Sequence, residues 1–401
     1  MSPSESALFE RAAHILDSFQ IEIPSWGFAN TGTRFGKFVQ AAAASTLEEK
    51  FSDAAEVHRL TGATPTMALH VLWDLPRGLA DIADVRALES QTGIRAGAIN
   101  PNVFQDQQYK YGSLCNPDPK IRDNALQHVL DSIEIAKGLH CRDISPWIAD
   151  GSNYPGTQSI RKRIVWLEST LHTIHQHLSP DQRLLIEYKP FEPAFYHTDI
   201  ADWGMSSHLC RAAGPQAFVL VDTGHHYLSQ NIEQIVAWLL HLNLLGGFHF
   251  NDRRYADDDL TLGSIDPYQV FRIFHELCQH QESSSSDDPL RTVGFMIDQS
   301  HNLKGKIEAT VQTVMTAQEL WLKAALLDRE KLSDLQQSCD LVAAEELFRG
   351  AFWRDVRPLL AAWREARGLA IDPLKALHED GYLERITRDR ASRQSAVSSY
   401  A

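Results

Sequence analysis

A chain of 401 residues exceeds one small domain and fits either one large α/β barrel with extensions or two to three ordinary domains. Apolar residues make up 43% and charged residues 22%, a balance that can bury a large core. The 38 basic and 52 acidic side chains leave a formal charge of −14, which speaks against binding nucleic-acid phosphates or anionic membranes, and the 18 histidines raise the question of whether some meet the surplus acids.

At the N-terminus, Leu8, Phe9, Ala12, Ile15, Leu16 and Phe19 recur at helical spacing, which predicts an amphipathic helix over Met1–Gln20 and not a signal peptide. Runs with strand character follow at Ile21–Trp26, Thr66–Val71, Ile94–Asn100, Asp143–Ile148, Leu184–Lys189, Phe218–Asp222, Leu245–Asn251 and Val293–Asp298. Helix-like stretches separate most of them, among them Asp123–Lys137, Ile160–Leu178 and Ile232–Leu244. Strand and helix alternating about eight times over roughly 280 residues predicts a (β/α)8 TIM barrel within residues 1–302, with a doubly wound open sheet as the alternative. The longest apolar region, Ile235–Phe248, is interrupted by His241 and Asn243 and is too short to span a membrane. Ser283–Asp288 reads as a loop before the eighth strand.

Residues 303–401 are expected to form a helical extension packing on the barrel or a neighbouring subunit, with helices over Ile307–Leu327, Leu332–Phe348 and Trp353–Arg367, bends or breaks at Pro358 and Pro373, and a fraying Arg388–Ala401. Cys115, Cys141, Cys210, Cys278 and Cys339 lie far apart with no CxxC pair, as expected of free thiols in a reducing cytoplasm.

In a barrel the C-terminal strand ends carry the chemistry. The second strand ends in His70, followed by Trp73 and Asp74, and the fourth runs into Trp147 and Asp150-Gly151-Ser152-Asn153. The fifth carries Glu187 and Lys189, two apart and therefore on one face. The sixth ends in Asp222, then Gly224-His225-His226; the seventh presents His249 and Asn251, with Asp257 and Asp259 in the following loop; the eighth presents Asp298, then Ser300-His301. Burying Glu187, Asp222, His249 and Asp298 together without compensation is very unfavourable, and a divalent cation removes the penalty. Oxygen-rich ligation with one imidazole points to Mn²⁺, with Co²⁺ or Mg²⁺ as alternatives, rather than to a structural zinc. His225, Asp257 and Asp259 are candidates for a second cation. A lone strand-end aspartate is more often a helix cap, and Asp257 and Asp259 also read as a solvated acidic loop. The candidate catalytic residues are His70, Lys189, Asp298 and Ser300. Gly32–Phe38 fails as a phosphate loop because Phe38 stands where Ser or Thr is needed, and no GxSxG or GxGxxG motif is present.

These motifs resemble the xylose-isomerase-like barrel superfamily and, within it, the pseudomonad and rhizobial type of L-rhamnose isomerase. The resemblance rests on Ile23-Pro24-Ser25-Trp26, Gly32-Thr33-Arg34-Phe35, Ala68-Leu69-His70, Glu187-Tyr188-Lys189-Pro190, Asp222-Thr223-Gly224-His225-His226, His249-Phe250-Asn251-Asp252 and Asp257-Asp258-Asp259. It implies two divalent cations per subunit: a structural one on Glu187, Asp222, His249 and Asp298, and a catalytic one on His225, Asp257 and Asp259 with a bridging carboxylate. It implies that His70 and Lys189 contact sugar oxygens and that Trp73 and Trp147 form an apolar wall. It further implies that Phe35 enters a neighbouring subunit's site in a homotetramer. The implied reaction interconverts L-rhamnose and L-rhamnulose, by a hydride shift or an enediol route. A ketose 3-epimerase and a non-catalytic sugar-binding barrel are the alternatives.

Overall fold

In the computed structural model, which describes residues 3–30, 38–192, 196–283 and 288–391, eight parallel strands follow one another around a sheet in chain order. They are β1 (Ile23–Pro24), β2 (Thr66–His70), β3 (Arg95–Asn100), β4 (Asp143–Ile144), β5 (Arg183–Glu187), β6 (Ala217–Asp222), β7 (Leu245–Phe250) and β8 (Gly294–Ile297). The sheet closes on itself: Glu22 donates its backbone N–H to Phe295 O at 2.8 Å and accepts from Ile297 N at 2.9 Å. Closure excludes the open, doubly wound alternative, and the fold is a TIM barrel with extra C-terminal helices.

All eight expected strands are present, two of them cut to two residues. Pro146 has no N–H for a ladder, so β4 ends early. A 3₁₀ turn over Ser25–Phe28 cuts β1 short.

Outside the strands stand α1 (Pro3–Ser18), α2 (Leu47–Thr61), α3 (Ile82–Thr92), α4 (Pro119–Leu139), α5 (Ile160–His175), α6 (Trp203–Ala213), α7 (Ile232–His241) and α8 (Pro267–Ser283). Their starts are encoded locally. Thr46 accepts from Glu49 N in a capping box that opens α2, and Asp118, Ser159, Asp202 and Asn231 cap α4 to α7 in the same sense. The main core lies between strands and helices; Leu185, Phe218 and Leu220 form a separate apolar cluster. By strand alternation these side chains share the barrel's inner face with Glu187 and Asp222. Gly97 has no side chain because the Glu22 carboxylate occupies the position its Cβ would take, 1.5 Å away.

α9 (Lys306–Ala325) packs between α8 and α2, where the barrel's eighth outer helix belongs. The five further helices differ from expectation in number or bounds. The stretch expected as one helix over Leu332–Phe348 is split into α10 (Arg329–Gln337) and α11 (Leu341–Trp353), because Cys339 turns left-handed with φ of 57° and Asp340 caps a new helix. The expected break near Pro358 is present: the chain leaves helix after Trp353, and Pro358 sits in the first turn of α12 (Arg357–Ala366), where a missing N–H is harmless. Pro373 likewise opens α13 (Pro373–Glu379).

Over 388–391 the expected fraying is replaced by the end of α14 (Tyr382–Ala391), in which Arg390 is buried and pairs with Asp53 of α2 at 2.8 Å; the rest of that segment, 392–401, lies outside the described residues. The tail is also tied to the N-terminus, since Trp363 Nε1 donates to Asp17 Oδ1 at 2.9 Å. Among the described residues no helix is long and apolar enough to cross a membrane.

Candidate metal centre and sugar site

Glu187 and Asp222 end their strands and His249 is the penultimate residue of the next, with their side chains aimed into the barrel mouth, and all three are buried. Asp298 follows β8, about a quarter of its side chain exposed. His225 Nδ1 lies 3.1 Å from Glu187 Oε1, and its Nε2 lies 3.8 Å from Asp222 Oδ2 and 3.4 Å from Asp257 Oδ2. His249 Nδ1 lies 3.5 Å from Glu187 Oε2, 4.0 Å from Asp222 Oδ2 and 3.6 Å from Asp298 Oδ2. Two sets of donor atoms converge within 4.8 Å: Glu187, Asp222 and His225, and Asp222, His249 and Asp298. Asp222 belongs to both.

The surrounding chain orients these donors. Asp222 Oδ1 accepts from Gly224 N at 2.6 Å and from Asn251 Nδ2 at 3.1 Å, leaving Oδ2 toward the imidazoles. Asn251 Nδ2 also donates to the Asp298 carbonyl at 3.2 Å, joining β6, β7 and β8 through one amide. A Cβ at Gly224 would sit 2.6 Å from Asn251 Oδ1, so a larger residue there would displace that amide. His225 Nδ1 faces the Tyr188 carbonyl at 3.2 Å; a carbonyl only accepts, so Nδ1 carries the proton and Nε2 is the ligand-capable atom.

The electrostatics show an excess of acceptors. Burial, with repulsion from Glu187, Asp257 and Asp298, pushes the Asp222 carboxyl up to about 7 despite His225 nearby. Burial also raises Asp298, against the pull of His249. For His249 burial works downward, but Glu187, Asp298 and Asp222 prevail and hold it at about 9. His225 is raised well above its ordinary value by Asp222 and Asp257 in the same way. Protons on two imidazoles thus offset only part of the carboxylate charge. His249 Nδ1 is buried and makes no hydrogen bond among the described residues. Hard carboxylate oxygens, two imidazoles and an orphaned buried nitrogen fit divalent cations.

Beside this centre, Lys189 Nζ lies 2.7 Å from Asp257 Oδ2 and 5.0 Å from the Trp147 ring. His70 stacks on Trp73 with centroids 3.8 Å apart, Phe104 meets His70 edge-on at 5.6 Å, and Phe104 in turn meets Trp147 at 4.7 Å. Trp26 closes the wall, 5.9 Å from His70, and its indole N–H donates to Asp298 Oδ1 at 2.9 Å. Burial lowers His70 to about 4, so the ring is neutral; Nδ1 donates to Val71 O at 3.0 Å, which leaves the Nε2 lone pair as an acceptor.

Residues 63–277 match the family described as xylose isomerase-like TIM barrel. The chain belongs to this family. Two curated relatives are named as probable sugar isomerases. One, from Rhizobium meliloti (strain 1021), is 37% identical over 93% of this chain and 86% of its own length. The other, from Mesorhizobium japonicum, is 38% identical over 94% of this chain and 87% of its own. A solved xylose isomerase domain protein from Alicyclobacillus acidocaldarius superposes with a TM-score of 0.53 at 13% identity, covering 77% of this chain and 99% of that one, a likeness of fold.

Within this xylose isomerase-like barrel the expected site residues are not all gathered equally. Glu187, Asp222, His225, His249, Asp257, Asp298 and Lys189 form one contiguous group. Asp259 is half-buried with φ of 48° and, like Asp257, stands outside both sets of converging donors. Ser300 is half-buried two residues beyond Asp298. Phe35 lies outside the described residues. Reading the strand ends missed Phe104 and Trp26 in the wall, the orienting role of Asn251, and Tyr188, whose hydroxyl pairs with His226 Nε2 at 2.6 Å. Asn251 carried a signal, since it shares the inward face with His249. Phe104 lies in an irregular loop and carried none.

Proposed function

We propose that this protein is a metal-dependent aldose–ketose isomerase that interconverts L-rhamnose and L-rhamnulose, with related aldoses as side substrates. The observation that carries the reading is the convergence of Glu187, Asp222, His225, His249 and Asp298 beside an aromatic wall in one barrel mouth. Two divalent cations, Mn²⁺ foremost and Co²⁺ or Mg²⁺ as alternatives, would be held by Glu187, Asp222, His249 and Asp298 and by His225, Asp257 and Asp259. When bound, they supply Lewis-acid polarisation of adjacent sugar oxygens.

The chain's own groups do the rest. Lys189, held by Asp257, places an ammonium where negative charge grows on O1 as hydrogen moves between C1 and C2. His70 offers its Nε2 lone pair to a sugar hydroxyl and so favours the open chain. Asp298 faces the same pocket as ligand and orienting group, with Ser300 as a polar neighbour. The wall of Trp73, Trp147, Phe104 and Trp26 excludes water and suits a 6-deoxy methyl group. Phe35 of a neighbouring subunit completes the wall in a cytoplasmic homotetramer, which belongs to the same proposal.

The test is incubation of Mn²⁺-loaded protein with L-rhamnose in heavy water. Ketose without solvent deuterium is the expected result and supports a hydride shift; deuterium at C1 indicates an enediol. Exchange and inversion at C3 would replace the isomerase by an epimerase, and absence of turnover on any aldose with Mn²⁺ or Co²⁺ would remove the enzyme reading.

A further inference from the structure

Behind the aromatic wall lies a carboxylate that belongs to neither set of converging donors. Asp74 is buried, with its side chain fully enclosed. Its Oδ1 receives the Lys50 ammonium of α2 at 2.5 Å. Its Oδ2 accepts from the Ser25 hydroxyl at 2.5 Å and from the His70 backbone N–H at 2.7 Å. These donors come from three separate pieces of chain: α2, the turn after β1 and the end of β2. Ser25 precedes Trp26, whose indole holds Asp298 Oδ1, and His70 is the ring on which Trp73 stacks.

Between His70 and Asp74 the chain reverses at Leu72, whose φ of 79° is left-handed, a region leucine seldom enters. Leu72 is 51% exposed, so its side chain contributes little packing to hold that conformation. The reciprocal bonds hold it: Asp74 N to His70 O at 2.9 Å and His70 N to Asp74 Oδ2.

We propose that Asp74 is a positioning residue that sets specificity at the sugar's terminal carbon. It locks the His70–Trp73 stack against Trp26 and, through Trp26, the orientation of Asp298. A rigid wall leaves a terminal hydroxyl without a partner, and a loosened wall admits water or that hydroxyl. The geometry stands by itself; its kinetic consequence rests on the isomerase reading.

The test uses full-length, Mn²⁺-loaded Asp74→Asn and Ser25→Ala, read by near-UV circular dichroism of the tryptophan band and by kcat and KM on L-rhamnose and on L-mannose, which carries the terminal hydroxyl. Asp74→Asn is expected to weaken the tryptophan band, to raise KM for L-rhamnose roughly tenfold with a smaller change in kcat, and to narrow the preference for L-rhamnose severalfold. Ser25→Ala shifts the same quantities less. Adding Leu72→Gly to Asp74→Asn restores part of the band and of the preference, because glycine adopts the left-handed turn without help. An unchanged band and preference in folded Asp74→Asn, or in Ser25→Ala if Asp74→Asn does not fold, overturns the proposal. So does a fall in kcat alone, the mark of a merely structural role. If the wild type turns over no aldose, the isomerase reading fails while the tryptophan band still decides whether Asp74 holds the wall.

Discussion

The two ends of the barrel bury comparable charge and treat it in opposite ways. Near the N-terminal end, Arg183 is fully buried and pairs with Asp143 through Nε at 2.7 Å and Nη2 at 2.9 Å. It also donates to the carbonyls of Leu290, Thr292 and Gly246 at 2.8, 2.9 and 3.0 Å, and Arg142 adds a second cation 3.0 Å from Asp143. Burial works to raise Asp143, but Arg183 prevails and holds it below its usual range. At the C-terminal mouth the carboxylates face one another, and Asp222 is driven up to about 7. One end meets its charges with groups of the chain itself and serves the fold. The other leaves an excess of acceptors that something from outside can satisfy, as a binding site does.

The largest effect that would sharpen this contrast is at the stability end. Arg183→Met leaves Asp143 with Arg142 alone and three carbonyls without their donor, and is expected to lower unfolding free energy by about 3–5 kcal/mol in urea titrations, with activity per folded molecule retained. A loss under about 1 kcal/mol would erase the distinction between the ends.

At the mouth, Asp298→Asn or His249→Ala should weaken Mn²⁺ binding and turnover together by about 100-fold, followed by calorimetric titration and initial rates. Unchanged activity after either removes that residue from the site. In the same series, Mn²⁺ at about 100 times its Kd should stabilise chelator-treated wild type by about 2.7 kcal/mol, and far less in the variants.

Glu22 stands on the inner face between the two ends. Burial pushes its carboxyl up to about 7, against a backbone hydrogen bond from Ala98. A folded pKa above the unfolded one means that the proton favours folding, so this contribution is complete below about 4.5 and is lost as pH rises through about 7. Glu22→Gln is expected to raise the melting temperature at pH 8, by the equivalent of about 1–2 kcal/mol, and to leave it unchanged at pH 4. Equal shifts at both pH values would remove the titration argument. The smallest effect is at the rim: Trp26→Phe removes one N–H from Asp298 Oδ1 and should weaken Mn²⁺ binding severalfold, up to about tenfold, without loss of stability.

Much of the barrel was legible in the sequence. Runs such as Phe218–Asp222 and Leu245–Asn251 are apolar and end in polar residues, and helix-like stretches such as Ile160–Leu178 and Ile232–Leu244 separate them. The metal-type cluster was legible for the same reason, because its members close consecutive strands. The tail was read less well. A split at Cys339 depends on one backbone angle, and the ordering of Arg390 depends on Asp53, more than 300 residues away in sequence.

By itself the sequence determined the alternation of strands and helices, the acidic balance and the polar strand ends, since each is a property of neighbours along the chain. Only the tertiary structure decided that Asp222 is common to both sets of donors, that Asp257 engages Lys189, that Trp26 and Phe104 complete the wall, and that Asp74 gathers three segments behind it. The physical reason is that these partners sit on different strands and loops. Hydrogen bonds and Coulomb interactions act over a few ångströms, and these partners come within that range only when neighbouring strands pair and, for Trp26 and Asp298, when β1 meets β8.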